Sequence, residues 1–258
     1  MIQSVERAAL ILKALGGGAS RLGVSELSER LGLAKATVYG LLRTLESQEL
    51  VEQDAETGKY RLGPALLQLG NAFLDNHELR ARSLMWAESL ATRSREAVQV
   101  GVLNGLNVLI VHHVFRPDNS VQILEVGASI PWHACALGKA IAAYVDDSRR
   151  KNLLAEPLPK LTGRTLTSVS ALEAELKRVQ KEGCALEDQE AIVGEGGIAA
   201  PVFDNRGLPV GAIGLTGSSE RLLPKGPDPS LVPLVKEVAR GLSRELGAGR
   251  MSSRGIPV

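Results

Sequence analysis

The side chains with the clearest chemical pattern lie in a short acid-free stretch near the start of the chain. From residue 31 to residue 45, Lys35 and Arg43 are the only charged residues. Leucine and valine recur there at i, i+3, i+4 and i+7, which predicts a helix with one apolar face. Its opposite face and start have the groups that contact phosphates and base edges of DNA. The residues predicted to read DNA are Lys35, Ala36, Thr37, Tyr39, Gly40 and Arg43.

A second basic feature follows at Lys59 and Arg61. In a strand these two side chains share one face, and Tyr60 and Leu62 share the other. A hairpin here predicts a wing that touches the DNA backbone or the minor groove. The competing interpretation is a protein-interaction module, because residues 1–63 hold eight basic and eight acidic residues and no net charge. The acids lie outside the stretch 31–45, and this segregation favours DNA binding.

A different kind of site is indicated around Cys135. The pattern predicts an extended run that ends near this residue and a helix that opens with Ala136, Leu137 and Gly138. Free N–H groups at such a start favour an anion such as a carboxylate, and small residues let a ligand approach the backbone. Small residues are equally what a helix needs to pack tightly on a sheet. The residues alone leave both interpretations open.

Thiol and imidazole groups suggest three further chemistries. Cys135 and His133 could form a catalytic pair, but a spacing of two residues fixes no geometry and no third orienting group is evident. His112 and His113 would point to opposite faces of a strand, so they cannot share a metal ion. Cys135 at a helix start could have a lowered pKa and act as a redox sensor. We expect no enzyme, no metal site and no cofactor.

The hydrophobic pattern also defines the elements that position these residues. Val5, Ala8, Ala9, Leu12 and Leu15 are predicted to form the inward face of a first helix, and Ser25 is predicted to cap a second. The predicted elements of the first part are helices 4–15, 25–31, 35–48 and 64–76 and a hairpin of strands 50–53 and 59–62. Those of the second part are helices 78–94, 137–144, 171–182 and 230–246, strands 97–103, 107–114, 121–126, 198–204 and 209–216, and a bend at 194–197. The fold class is α+β, with a mostly antiparallel sheet covered by helices.

Composition sets outer limits on function. The chain has 258 residues, a formal charge of +1 and 44% hydrophobic residues, as in a globular protein of one or two domains. Only 3% of the residues are aromatic, which argues against a single-strand binder that stacks bases. Two cysteines exclude a disulfide framework. No apolar run reaches the roughly 20 residues of a membrane span, and no apolar signal core follows Met1. We expect a cytoplasmic protein without a membrane partner.

Several motifs, in order along the chain, resemble those of the IclR-type bacterial transcriptional regulators. They are SVERA at 4–8, LSERLGL at 27–33, KATVY at 35–39, TGKYRLG at 57–63, WHACALGKA at 132–140 and IAAPV at 198–202. The resemblance spans about residues 4–247. It implies a winged helix-turn-helix DNA-binding domain at 1–63, a linker helix at 64–77 and a GAF-like effector-binding domain at 78–248, followed by a flexible tail at 249–258.

The resemblance also implies function. Such regulators bind palindromic operators in double-stranded DNA as dimers or dimers of dimers, and they respond to a small-molecule effector, here expected to carry a carboxylate. Matching positions place the effector site at Cys135, Ala136, Leu137, Gly138, Glu187, Gly197, Gly214 and Thr216. Gly214 is expected to enlarge the pocket. The competing hypothesis is a cytosolic hydrolase or transferase with an accessory interaction module.

This chain departs from the family pattern at four positions. Gly40 stands where a long polar side chain is usual, and Ala34 replaces a better helix-capping residue. The operator contacts are therefore expected to rest on Lys35, Thr37, Tyr39, Arg43 and the wing. In the effector domain, Cys184 replaces an aromatic residue and Glu187 replaces an aspartate.

Overall fold

The computed structural model describes residues 2–18, 21–118, 122–224, 226, 228 and 230–249. The chain divides into two compact units, residues 1–76 and residues 77–258. The first unit is mostly helical with a two-stranded sheet, and the second is built on a six-stranded sheet. Within the described ranges, no helix is long and apolar enough to cross a membrane.

The first unit contains three helices, a hairpin and a fourth helix. Their bounds are α1 Gln3–Gly16, α2 Val24–Leu31, α3 Lys35–Ser47, β1 Val51–Gln53, β2 Tyr60–Leu62 and α4 Ala65–Asp75. The two strands pair antiparallel, with Glu52 opposite Arg61. Gly32 ends α2 in a left-handed conformation, φ 64°, which glycine adopts without steric cost. Helix, tight turn, helix and hairpin together form a winged helix-turn-helix.

One apolar core holds this unit together. Ile11 of α1, Leu27 of α2, Val38 of α3 and Tyr60 of β2 are fully buried. The apolar stripe of α3 therefore faces inward, as its spacing predicts. Leu22 and Tyr60 also exchange two backbone hydrogen bonds, at 3.0 and 2.8 Å, which tie the hairpin to the segment before α2.

The predicted inward face of α1 is partly wrong. Val5 is 65% exposed, and the buried residues of this helix are Ile11, Ala14 and Leu15. Periodicity identifies a possible apolar face, but it does not tell how far along the helix a neighbour extends. Within this unit the core covers only the second half of α1.

The predicted N-cap of α2 is also wrong. The helix begins at Val24, one residue before Ser25. The Gly23 N–H donates a hydrogen bond of 2.6 Å to the carboxylate of Glu26. Because this acid in the first turn satisfies a free backbone donor, the helix start does not need a serine hydroxyl.

Helix α4 is strongly apolar and yet has no buried residue. Leu67 is 69% exposed and Leu69 is 59% exposed. Burying a leucine side chain contributes about 2 kcal/mol, so exposed leucines on one short helix forgo several kcal/mol of hydrophobic stabilisation. α4 therefore presents an apolar surface of the kind that marks interaction sites.

The second unit is an antiparallel sheet with helices around it. Its strands are β3 Ala97–Asn104, β4 Asn107–Val114, β5 Ser129–Pro131, β6 Ala185–Asp188, β7 Glu195–Phe203 and β8 Pro209–Ser218. Its helices are α5 Glu78–Ser94, α6 Ala136–Ala142, α7 Asp147–Ala155, α8 Val169–Glu182, α9 Ser219–Leu222 and α10 Leu231–Glu245. The strand order is β5-β4-β3-β8-β7-β6, and every pairing is antiparallel. The predicted α+β class is confirmed.

Helices cover both faces of this sheet. α6 and α8 pack on one face around Leu137 and Leu172, in a cluster that also contains Ala212 of β8. The neighbouring Gly211 faces the other side, where a Cβ atom would lie 2.3 Å from Leu79 of α5. Successive strand residues point to opposite faces, so α6 and α5 lie on opposite sides of the sheet. α10 packs beside α5.

The strand predicted at 121–126 is wrong for the residues that the structure describes there. Residues 122–125 form an irregular segment that side chains hold in place. The Gln122 amide accepts from the Arg116 N–H at 2.6 Å and donates to the Arg116 carbonyl at 2.9 Å. The Glu125 N–H donates to Nδ1 of His113 at 3.1 Å. Pairing with β4 is taken instead by β5, which begins at Ser129.

Sequence periodicity misses α7 and β6 and misplaces the start of β7. In α7 the buried residues are Leu153 and Leu154, too few to form a periodic stripe. The bend predicted at 194–197 is confined to Gly194, φ 88°, because β7 begins at Glu195. Residues 250–258 of the predicted tail lie outside the described residues.

Candidate functional site

The solvent face of α3 presents the residues predicted to read DNA. Val38 and Leu42 occupy its buried side. The residues on the exposed side are Lys35, Ala36, Tyr39, Gly40 and Arg43, with Thr37 half-buried beside them. Tyr39 is 53% exposed, and open space surrounds the position where Gly40 lacks a side chain. The helix therefore offers a surface with two cations and one phenol, and its acid Glu46 pairs with Arg43.

Within the described residues, three of the four basic side chains predicted to contact DNA are paired with acids. The pairs are Arg43–Glu46 at 3.0 Å, Lys59–Glu26 at 3.1 Å and Arg61–Glu52 at 2.8 Å. Such exposed pairs contribute about 0–1 kcal/mol each, so a phosphate can replace the carboxylate at small cost. Lys35 has no ion pair in the part of the chain that the structure describes.

The second unit contains a cavity of about 320 Å³ beside the start of α6. Its lining includes six of the eight residues predicted for an effector, namely Cys135, Ala136, Leu137, Glu187, Gly197 and Thr216. They lie before and in α6 and in β6, β7 and β8, so the fold brings together residues far apart in sequence. Ile130, Leu161 and Ile192 add apolar wall. This volume is within the range of small-molecule sites.

Two predicted site residues, Gly138 and Gly214, lie outside this lining. A Cβ atom at Gly138 would lie 2.1 Å from the carbonyl oxygen of Trp132, so the glycine lets α6 pack on the chain just before it. A Cβ atom at Gly214 would lie 2.5 Å from the carbonyl oxygen of Ile198. The expectation that Gly214 enlarges the pocket is therefore wrong, since this glycine serves close packing against β7. Trp132 is buried in the core and does not form a cavity wall.

Glu187 is the buried acid of the cavity. The side chain projects from β6 and is 7% exposed. Its Oε1 atom accepts hydrogen bonds from the backbone N–H groups of Glu190 at 2.7 Å and Ala191 at 3.3 Å. Burial raises the pKa of Glu187 to about 7, although both N–H groups oppose this shift. Near neutral pH this carboxyl can therefore either donate or accept a hydrogen bond.

We expect Glu187→Gln to stabilise the protein at pH 8 and to leave its stability almost unchanged near pH 4. The folded pKa of about 7 exceeds the ordinary value of 4.5, so the destabilising cost of ionisation develops as pH rises through this window. Glutamine has no charge to bury, and its Oε1 can still accept the two N–H groups. The gain at pH 8 is up to roughly 3 kcal/mol. Urea unfolding at both pH values measures it, with the exposed Glu88→Gln as control. An equal effect at both pH values would contradict the assignment.

Lys139 and Glu190 form a buried ion pair outside the cavity lining, which the sequence analysis did not predict. Lys139 of α6 is 1% exposed, and its Nζ lies 2.6 Å from Oε1 of Glu190 and 3.8 Å from Oε1 of Glu175. The other oxygen of Glu190, Oε2, is buried without a hydrogen-bond partner among the described residues. The signal was a single lysine within the otherwise uncharged run 132–145. This pair attaches the segment after β6 to α6.

The thiol and imidazole hypotheses do not fit the geometry. Cys135 is buried, and burial raises its pKa to about 12, so the expected lowering is wrong. Nε2 of His133 lies 3.1 Å from the carbonyl oxygen of Pro159, which gives this histidine a structural contact. His112 and His113 are adjacent in β4. In the described residues, no group of histidines, cysteines and acids is arranged to hold a metal ion.

A helix-turn-helix unit and a ligand-sized cavity in one chain define a transcriptional regulator with a DNA-binding domain and an effector-binding domain. The chain belongs to the IclR family of bacterial transcriptional regulators. The IclR helix-turn-helix domain matches residues 4–55, and the bacterial transcriptional regulator IclR C-terminal domain matches residues 71–244. These families and the relatives below are regulators, so the hydrolase and transferase hypotheses are set aside.

Similar proteins extend over almost the whole chain. The glycerol operon regulatory protein of Streptomyces griseus is 50% identical over 250 residues, which cover 96% of this chain and 98% of that protein. The HTH-type transcriptional regulator XynR of Escherichia coli is 29% identical over 223 residues. These residues cover 86% of this chain and 88% of XynR. The crystal structure of an IclR transcriptional regulator from Alicyclobacillus acidocaldarius has a TM-score of 0.82 and 26% identity, covering 96% of this chain and all of that one.

Proposed function

We propose that this protein controls an operon for the uptake or breakdown of glycerol or a related polyol. The observation that carries this proposal is the 50% identity, over 96% of the chain, to a protein named as a glycerol operon regulator. The XynR, KdgR and AllR regulators are more distant, at 27–29% identity. A regulator from Escherichia coli in this group is named as a repressor, and we infer repression here as well.

The operator contacts that we propose are the exposed side of α3 and the basic face of the hairpin. Lys35 and Arg43 supply positive charge, although Arg43 is paired with Glu46, and Tyr39 and Thr37 supply hydroxyl groups. The absence of a side chain at Gly40 lets the helix backbone approach the groove closely. Lys59 and Arg61 extend the positive charge along the hairpin. This arrangement suits a helix in the major groove with a wing on the backbone.

The test is retardation of DNA from the region upstream of the gene and of its neighbouring operon, by the full-length protein. We expect Lys35→Ala and Arg43→Ala each to weaken binding several-fold and to reduce the salt dependence by about one phosphate contact. Lys177→Ala removes an exposed charge from α8 and serves as the matched control. Unchanged affinity and salt slope for both variants of α3 would overturn the assigned contacts, and failure to bind any upstream or genomic DNA would overturn the function.

The effector site that we propose is the cavity beside α6. The sequence predicts an organic acid there from the N–H groups at the start of α6, of which that of Gly138 already donates to Sγ of Cys135 at 3.4 Å. The cavity volume of about 320 Å³ is sufficient for a small molecule. Effector binding between β6, β7 and α6 would bias the arrangement of this unit and so its control of DNA binding.

We propose a homodimer in which α4 of one copy packs on α4 of a second. The support is an apolar face of α4, where Leu69 is 59% exposed and Phe73, four residues on, is 50% exposed. A dimer matches the two half-sites of a palindromic operator, because a two-fold protein reads a two-fold sequence. A further pairing of dimers into a tetramer is compatible with this interface.

Changing Leu69 and Phe73, which lie four residues apart on one face of α4, together to aspartate is expected to weaken self-association at least tenfold, because two charges would have to be buried in the interface. Gln68→Asp places the same charge on the same helix at a polar position and is the control. Sedimentation equilibrium gives the dissociation constant for each variant. A double variant with the mass and dissociation constant of the unchanged protein would show that α4 does not form the interface.

A further inference from the structure

The charged side chains that line the effector cavity are all acidic. Three carboxylates line it, from Glu125, Glu187 and Glu195, together with the amide of Gln99 and the hydroxyl of Thr216. Within the described part of the chain, no lysine, arginine or histidine lines this cavity. A bound carboxylate or phosphate would meet negative charge and no countercharge from a side chain, which is unfavourable in a partly buried site.

We propose that the cavity binds an uncharged, hydroxyl-bearing small molecule of the polyol class, recognised chiefly by the Glu187 carboxyl. This inference deepens the proposed function and rests on its effector site. It departs from the organic acid that the sequence predicts. The ligand class follows from the chemistry of the lining. The carboxyl groups of the cavity can accept hydrogen bonds from hydroxyl groups, and the rest of its wall is largely apolar.

The geometry of Glu187 provides one free acceptor aimed at the cavity. Its Oε1 is occupied by two backbone N–H groups. Its Oε2 has no hydrogen-bond partner among the described residues and lies 3.6 Å from the position of a Cβ atom at Gly197, which also lines the cavity. The side chain is more than nine-tenths buried, but this oxygen is not among the buried atoms without a partner, so water can hydrogen-bond to it until a ligand takes its place. A ligand hydroxyl can supply that hydrogen bond as donor, and also as acceptor when Glu187 is protonated.

The same residues argue against a metal ion. A metal site needs ligands that converge on one point, and no such group of three exists among the described residues. Glu125 is instead hydrogen-bonded to the Gln99 amide, and Glu195 is exposed. The acceptors are therefore spread around the cavity, as the hydroxyl groups of a polyol are spread along its chain.

A neighbouring cavity of about 340 Å³ shares Glu125, Glu195 and Thr216 with the first and contains arginines. Both arginines are engaged by acids. Arg221 holds Glu96 with two hydrogen bonds, at 2.8 and 3.1 Å, and Arg116 lies 2.5 Å from Asp118. An anion there would have to compete with these carboxylates, so the neighbouring cavity gives an acidic ligand no better site.

The test compares ligands that share one carbon skeleton and differ in charge. Isothermal titration of the full-length protein at pH 7.5 uses glycerol, glycerate and 2-amino-1,3-propanediol as a three-carbon series, and xylitol and xylonate as a five-carbon pair. We expect the uncharged member of at least one series to bind at least tenfold more tightly than its charged counterparts. We also expect it to change retardation of operator DNA.

Tighter binding of an acid or an amine would overturn the proposal, and so would the absence of binding by every uncharged member. The Glu187→Leu variant should lose at least tenfold in affinity for the uncharged ligand, whereas Lys177→Ala should bind it unchanged. Thermal unfolding verifies that Glu187→Leu is folded. Operator retardation without ligand is read separately, so failure of the regulator function and failure of the ligand class give different results.

Discussion

Replacing Lys139 by methionine is expected to lower the free energy of unfolding by about 3–5 kcal/mol, the usual cost of removing one partner of a buried ion pair. The reason is Glu190, which is buried and lies 2.6 Å from the lysine. Without Lys139 its carboxylate keeps the cost of burial and loses its countercharge. Glu175 loses a weaker partner, since it remains bonded to Arg178 at 2.8 Å. Urea unfolding followed by circular dichroism measures the change.

The double variant Lys139→Met with Glu190→Gln distinguishes charge from packing. If the loss arises from an uncompensated carboxylate, removing that charge as well should restore most of the stability. Lys177→Met, at an exposed position of α8, is the matched control and should stay within about 0.5 kcal/mol of the unchanged protein. A Lys139→Met variant as stable as this control would show that the buried pair contributes nothing.

Gly138→Ala is expected to destabilise the effector-binding unit by about 3 kcal/mol or more, a large effect for a single methyl group. The added Cβ would lie 2.1 Å from the carbonyl oxygen and 2.5 Å from the Cα of Trp132. Both are backbone atoms, which cannot move aside as the end of a flexible side chain can. The start of α6 would be displaced, and with it Ala136 and Leu137 of the cavity wall. Thermal unfolding and ligand titration should both change.

Gly40→Ala is the matched control, because it makes the same change in another helix with open space around it. There the expected sign is opposite, since alanine stabilises a helix interior over glycine by about 1 kcal/mol. If Gly138→Ala also stabilises the protein, the close approach to Trp132 is not a real constraint. If Gly40→Ala weakens operator binding while it stabilises the fold, the backbone at Gly40 lies close to DNA.

Long amphipathic elements could be predicted from the sequence, and short or irregular ones could not. The stripe of α3 is regular because Val38, Leu42 and Leu45 all contact one core, so its period is visible. The segment 122–125 contains Ile123 and Leu124, which read as strand, but both are exposed. Gln122 fixes this segment to the backbone of Arg116 through its amide, an interaction that periodicity does not report.

In the candidate site as well, some features could be predicted from the sequence and others could not. The positions of Cys135, Ala136 and Leu137 could be predicted because they are neighbours in sequence at the start of a helix. The charge of the cavity could not, because Glu125 and Glu195 come from segments that only the sheet brings together. The buried pair of Lys139 and Glu190 joins residues 51 positions apart, so no local pattern reveals it.

The acids beside the basic residues of α3 and the hairpin have a consequence for the search along a chromosome. In the contacts that we propose, a phosphate of bulk DNA would have to displace Glu46, Glu26 and Glu52 before it could engage their basic partners. We then expect the attraction to arbitrary sequence to be lowered, by up to about 1 kcal/mol for each pair that is exchanged. The free energy lost when phosphates replace the carboxylates is offset only at a site where base contacts are added. We therefore expect these acids to shorten the time that the regulator spends on wrong sites.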